Sequence, residues 1–248
     1  MKELRKLVEE LEQALDEKSI IAKLHDINAM ILTKCKLKVD DTYILYPTEV
    51  EAYFFKDPEF KDECVHCNEL QSGESDRFGK LYFHRKGKSK DSEIRFYNYT
   101  GMDVCLSLDK SYYLGVLIRN AYINSDALCG PSRLVWAVAD HICNEDNRKK
   151  LSQEQKKKIC KLEDQSVLLQ TDAKDKRIVN PLFVTHRKGI TKGDYKNSDL
   201  RSFIELKQRH VDVNKELVLK KYFEKENISV TEDLVVELLG YRSKAILE

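Results

Sequence analysis

Residues 49–55 read EVEAYFF. Two carboxylates interrupt a run that otherwise has the makeup of a buried strand. Side chains alternate across a strand, so Glu49, Glu51, Tyr53 and Phe55 share one face and Val50, Ala52 and Phe54 the other. A carboxylate placed there can position and deprotonate a water, and a tyrosine ring beside it can stack on a flat ligand. A second segment, GVLIRNAY at 115–122, sets Arg119 within an apolar strand. A guanidinium keeps its charge inside a protein and needs a partner. Glu51 is the candidate partner, through paired hydrogen bonds. The two residues either meet across a pocket or form a structural buried ion pair.

Histidines offer further chemistry. CVHC at 64–67 has zinc-like spacing, but a zinc site needs four ligands and no second C-x-x-C follows. His66 is then a pocket residue or a plain loop residue. LYFHRKG at 81–87 places His84 and Arg85 at a strand end that leads into a basic loop. His84 suits stacking on a base or proton transfer, and Arg85 suits a phosphate contact. His66 and His84 together would also suit the acid and base of a nuclease. GPSRL at 130–134 starts a helix after a Gly-Pro turn, a place where a phosphate can sit. THRKGITKGDYK at 185–196 offers Lys188 as a second backbone contact.

These residues have to be held by a fold. The chain has 248 residues, 42% hydrophobic and 34% charged, enough to bury one sizeable core with or without an appendage. The net charge is only +1, but it is laid down in blocks. Residues 40–76 are acidic, while 77–95 and 174–201 are basic, and such blocks steer charged partners. The seven cysteines are an odd number, and MKELRKLVEELEQALDEK at the start has no apolar signal core. A reducing, cytoplasmic setting is the expectation. No apolar run reaches the length of a membrane span.

Apolar spacing predicts helices over 2–17 and 19–34. Strands are expected at 43–46, ended by Pro47, and then at 49–55. Residues 56–80 read as a long loop, which in a compact domain is a working loop. Further strands are expected at 81–84, 94–99, 104–108 and 115–121. A helix starts at Pro131, a polar helix covers 151–162, and short strands at 181–184 and 202–206 flank the basic loop. The tail from 211 reads as two short helices. The pattern predicts an α+β domain with a mostly antiparallel sheet surrounded by helices. The expected boundaries are 1–206 for that domain, N-terminal helices included, and 207–248 for a helical C-terminal extension.

In chain order, EVEAY, a histidine-bearing loop, GKLYFHR, TGMDVCLS, GVLIRNA and CGPSRL resemble the alkyladenine (methylpurine, 3-methyladenine) DNA glycosylase family. The likeness covers residues 19–206 and marks a divergent member. It implies a single domain around a curved, formyltransferase C-terminal-domain-like sheet and a base-excision repair enzyme. Such an enzyme cleaves the N-glycosidic bond of an alkylated or deaminated purine with an activated water, using neither metal nor cofactor. It implies DNA, duplex or single-stranded, or another purine-containing nucleic acid as partner, and no membrane. By resemblance Glu51 is the base that deprotonates the water and Arg119 its electrostatic partner. Tyr53, His66 and His84 form the base pocket, and Ser107 stands where the family has a base-discriminating asparagine. Thr100 stands where the family has the tyrosine that wedges into the duplex, with Tyr97 and Tyr99 as nearby substitutes. Two other readings stay open: a nucleotide or nucleic-acid binding module without chemistry, and a His-dependent phosphodiesterase.

Overall fold

The computed structural model describes residues 1–248 except 74–76, 97–99, 124–125, 145–150, 173–180, 197, 209 and 248. Two long strands carry the fold: β2 (Ile44–Lys56) and β6 (Tyr112–Ile123) pair antiparallel from Leu45↔Ile123 to Lys56↔Tyr112. The other strands are β1 (Cys35–Lys38), β3 (Phe60–Lys61), β4 (Leu81–Phe83), β5 (Met102–Cys105) and β7 (Asp126–Cys129). After them come β8 (Leu168–Gln170), β9 (Phe183–Thr185) and β10 (Arg201–Phe203). The main path runs β4-β5-β6-β2-β1-β8, every pairing is antiparallel, and the sheet curls into a half-barrel. The far edge of β2 is shared. β1 takes it at residues 44–45, β10 at 49–51 and β3 at 55–56. The register slips between Pro47 and Val50, where the partner changes from β1 to β10. A proline without an N–H and an extra residue suit such a changeover.

Seven helices complete the α+β fold among the described residues: α1 (Lys2–Glu12), α2 (Glu17–Lys34), α3 (Pro131–Cys143), α4 (Gln153–Leu162), α5 (Lys215–Glu226), α6 (Glu232–Leu239) and α7 (Lys244–Leu247). Their starts are capped as the sequence dictates. The Asp16 carboxylate accepts from the Ser19 N–H at 2.9 Å, Pro131 occupies the first turn of α3, and Ser152 and Gln155 form a capping box on α4. Leu4, Val8 and Leu11 of α1, Ile20, Leu24 and Ile27 of α2, and Leu134 and Val138 of α3 bury one face of the sheet. That face is built by Leu81, Phe83, Val104, Val116, Ile118, Val50, Ala52 and Phe54.

The tail has a cluster of its own. Val218, Leu219, Phe223, Val235, Leu239 and Ile246 pack on Phe183 of β9, Phe203 of β10 and Leu206. It holds three short helices where two were expected.

Other boundaries differ as well. The two strands expected around Pro47 are one strand, bent rather than broken. Within the expected loop 56–80, Phe60–Lys61 pairs with β2 and Glu69–Gln71 forms a 3-10 turn capped by Asn68. In the segment read as a strand at 94–99, Ile94 makes an isolated bridge to Arg85, and residues 97–99 lie outside the described residues. The basic stretch 174–201 lies outside them at 174–180 and 197. No helix among the described residues is long and apolar enough to cross a membrane.

Candidate active site

Directly paired residues of neighbouring strands point to the same side of a sheet. The observed register therefore sets one lateral row across six strands: Tyr82, Asp103, Leu117, Glu51, Arg201 and Thr185. This row lies on the face opposite the apolar core. Two residues along from it come Arg119 on β6, Tyr53 on β2 and His84 just past the end of β4.

Glu51 is wholly buried and both its oxygens are taken. Oε2 accepts from Arg119 Nη1 at 3.1 Å and from the Tyr53 hydroxyl at 3.0 Å, and Oε1 accepts from the Lys188 backbone N–H at 2.7 Å. Glu49 joins the network, since Arg119 Nε and Arg201 Nε donate to its Oε1 at 3.0 and 2.6 Å, and Asn120 donates to its Oε2. Arg201 also donates to Asp212 Oδ2 at 2.6 Å, which ties the tail to the row. Burial, and then the charge of Glu51, lift the Tyr53 phenol far above the usual tyrosine range, so it remains a donor to the carboxylate. Arg187 lies over the Tyr53 ring at 4.6 Å and pairs with Asp62 through contacts of 2.5 and 3.2 Å.

Beside Tyr53 a cavity of about 140 Å³ opens, lined by Tyr53, Cys64, His66, Gln71, His84, Asp103 and Ile190. A cavity near 150 Å³ holds one benzene ring, so this one is scaled to a flat ring. The His66 and His84 rings meet edge to face with centroids 4.3 Å apart. His66 Nδ1 is 3.0 Å from the Tyr82 hydroxyl, and His84 Nε2 is 2.8 Å from Asp103 Oδ1. Gln71 Nε2 donates to the other Asp103 oxygen at 2.8 Å. Two glycines make room for this group. A Cβ on Gly101 would lie 2.7 Å from the His84 ring, and one on Gly115 would lie 3.0 Å from Asp103 Oδ2.

No protein-family model matches the chain. A search of the curated proteins returns no match. The chemistry is therefore read from the residues themselves.

The structure brings together Glu51, Arg119, Tyr53, His66 and His84 as one connected group. It does not bring in Ser107. That side chain is buried, donates to the Gln71 carbonyl at 2.7 Å and accepts from the Leu114 N–H at 2.8 Å, so it braces Gln71 from behind. Nor is Arg85 an outward phosphate contact, because its guanidinium is buried against the Glu163 carboxylate and donates to the Ser92 carbonyl. Lys188 has a half-exposed side chain 3.6 Å from Asp212, while its backbone serves Glu51. Thr100 is buried, and Tyr97 and Tyr99 lie outside the described residues. Cys64 and Cys67 are free thiols, and no group of three or more His, Cys, Asp or Glu among the described residues is placed to hold a metal ion. Sequence reasoning missed Glu49, Asp103, Arg187 and Arg201. The signal for Glu49 was present in the shared face of EVEAYFF.

His66 makes a prediction about stability. Burial, and then the charge of His84, push its imidazole down to about 4. The folded state thus binds fewer protons than the unfolded state between about pH 4 and the ordinary histidine value of roughly 6.5. Stability supplied by neutral His66 is complete above that window and is lost as pH falls through it, about 3 kcal/mol by pH 4. Urea unfolding of wild type and His66→Gln between pH 4 and 7 measures this. The gap between the two curves should change with pH, and parallel curves would remove His66 from the pH dependence.

Proposed function

We propose that this protein hydrolyses the N-glycosidic bond of a modified purine held in the Tyr53–His66–His84 cavity, with Glu51 as the base that activates water. The observation that carries the reading is one of connection. Three aromatic rings line a cavity scaled to a flat ring, and one of them, Tyr53, is hydrogen-bonded to a carboxylate paired with an arginine. The motif order and the half-barrel sheet support it.

Each part has a physical role. Stacking on Tyr53 and the two imidazoles offsets the few kcal/mol spent in unstacking a base. Neutral His66 offers hydrogen bonds without repelling a cationic base. Arg119 aims Glu51, and its positive charge steadies the carboxylate as the water oxygen approaches C1′. Water reaches Glu51 when the Lys188 N–H releases Oε1, and that residue sits between Arg187 and Gly189, whose φ of +80° suits a turn.

A second reading, a nucleotide or nucleic-acid binding pocket without chemistry, draws on the complete burial of Glu51 and the engagement of both its oxygens. One assay separates the two. Wild-type protein is incubated with duplex and single-stranded oligonucleotides carrying methylated or deaminated purines, with EDTA present. Free base and an abasic site are the expected products. Tight binding with no release on any substrate would favour the pocket without chemistry.

A further inference from the structure

We propose that the cleft between the 85–96 loop and α4 binds a small phosphate monoester with an apolar body. The body rests against Leu70, Ile94 and Phe96, and the phosphate sits between Lys90 and Lys157. None of the residues that line this cleft lines the ring cavity, so the inference stands apart from the glycosidic reading.

The cleft has a volume of about 750 Å³, within the roughly 300–1,000 Å³ of small-molecule sites. Both of its walls are already built. The 85–96 loop is folded back on itself by the Arg85–Ile94 bridge and by the Lys86 N–H, which donates to the Glu93 carbonyl at 3.0 Å. Asn68 straps this loop by donating to the Gly87 and Ser89 carbonyls at 2.8 and 3.0 Å. The Glu69 N–H donates to the Lys88 carbonyl at 2.9 Å, and the Lys90 N–H donates to the Glu69 carboxylate at 3.1 Å. The backbone from which Lys90 reaches is therefore fixed. Lys157 stands on the facing wall, in α4, whose first turn is closed by its capping box. The Phe96 ring lies beside Trp136, with centroids 6.1 Å apart, which gives the apolar part of the cleft a firm backing.

The charges of the cleft point to an anion. Its floor is the Arg85–Glu163 pair, with side chains 5% and 3% exposed. Arg85 Nη1 donates to the Ser92 carbonyl, while Nε meets no acceptor. Burial raises Glu163 to about 7, so near neutral pH it offsets the guanidinium only in part and the floor is electropositive. On the rim, Glu93 is taken by Lys86 and Lys156 at 2.6 and 3.6 Å, and Asp164 lies 3.9 Å from Arg77. Among the described residues Lys90, Lys157 and Asp91 make no ion pair, which leaves two ammonium groups against one carboxylate. The two lysines stand on opposite walls and are exposed. A phosphate monoester carries about −1.5 to −2 at neutral pH and can answer both, where a carboxylate can answer one. Lysine serves such a group as a point charge.

Fluorescence titration with 1-naphthyl phosphate tests the idea, with 1-naphthol and inorganic phosphate as its two halves. Wild type is compared with Lys90→Glu/Lys157→Glu. The control is Lys88→Glu/Lys158→Glu, which makes the same change of charge at exposed lysines outside the cleft. Thermal melts check folding, which four exposed positions leave intact. Wild type should bind the ester at least about tenfold more tightly than either half. The cleft variant should weaken that binding at least about 30-fold, because each reversal sets a like charge against the phosphate. The control should stay within about threefold of wild type. Equal loss in both variants would make the attraction a general one and overturn the site. Inorganic phosphate bound as tightly as the ester would remove the apolar body from the assignment. Displacement of the ester by a single-stranded oligonucleotide, lost in the cleft variant, would make the cleft a nucleic-acid track and overturn the small-molecule class. No binding of the ester up to about 5 mM would end the proposal.

Discussion

Glu51→Gln should lower base release at least about 1,000-fold, within the range that a general base contributes, and should also cost stability. The carboxylate accepts three hydrogen bonds, from Arg119, Tyr53 and the Lys188 N–H. Glutamine offers one oxygen and one donor. If the amide nitrogen takes the Oε2 place it faces the Arg119 guanidinium, and if it takes the Oε1 place it faces the Lys188 N–H. Either way a donor meets a donor. The lost charge leaves Arg119 with Glu49 alone. Breaking one member of a buried pair costs about 3–5 kcal/mol when the remaining charge is stranded. Here Glu49 limits the loss to about 3 kcal/mol, a fall in Tm of roughly 6–12 °C for a chain of this size. Such a loss leaves most natural domains folded. Glu51→Asp is the control, with the charge kept and the carboxylate withdrawn by roughly 1.5 Å, one C–C bond. Single-turnover rates and thermal melts on the three proteins decide the matter. A glutamine variant that releases base at the wild-type rate would leave the pair a structural one.

The second large effect is expected at Asp62, which pairs with the arginine lying over the Tyr53 ring. Asp62 and Arg187 are the most deeply buried ion pair of the site, with side chains 2% and 0% exposed. Arg187 also donates to the carbonyls of Ala52 on β2 and Tyr195 at 3.4 and 3.3 Å, and Asp62 accepts from the Cys64 N–H at 3.1 Å. The pair therefore joins three segments: the loop that bears His66, the strand that bears Glu51, and the loop that bears Lys188. Asp62→Ala strands a guanidinium that cannot lose its charge, and should cost about 3–5 kcal/mol. Removing both charges, as Asp62→Leu with Arg187→Met, should recover more than half of that loss, because the isolated charge is the main penalty. The loop that delivers the Lys188 N–H to Glu51 is then held less firmly, so base release should fall in the double variant even where stability returns. Urea unfolding of the single and double variants measures the first claim. A cost below about 1 kcal/mol for Asp62→Ala would mean that solvent reaches Arg187.

The parts of the site that could be read from the chain were those fixed by local arithmetic. A period of two put Glu51 and Tyr53 on one face, and the permanent charge of Arg119 demanded an acid within reach. Helical spacing likewise gave α2 and α3 closely, because each buries a stripe at helical intervals. What escaped depended on partners distant in sequence. Arg201 meets Glu49 only because β10 pairs with the middle of β2, a contact between residues 152 positions apart that no periodicity announces. Arg187 is missed for the same reason. It stands in a run of basic and glycine residues that reads as solvated loop, yet Asp62 draws it inside. Arg85 misled in the same direction. The lysines that follow it suggested a basic surface, while Glu163, 78 residues later, takes its charge into the interior. The short strands β1 and β8 carry too few residues to show an alternation. They form because each finds an edge already laid down by β2 or β1.

The row that runs from Tyr82 to Thr185 has a consequence for how this sequence can change. Core and site are written on alternate letters of the same strands: Val50, Ala52 and Phe54 face the helices, and Glu49, Glu51 and Tyr53 face the opposite side, where the site lies. Inserting or deleting one residue in β2, β5 or β6 would turn every carboxylate beyond it toward the apolar layer and every valine toward the cavity. Such a frameshift in space would take folding and chemistry together. Libraries meant to alter substrate choice should therefore leave strand lengths untouched. They should vary the lining residues that arrive from loops, Cys64, His66 and Ile190, where length and register are not locked to the core.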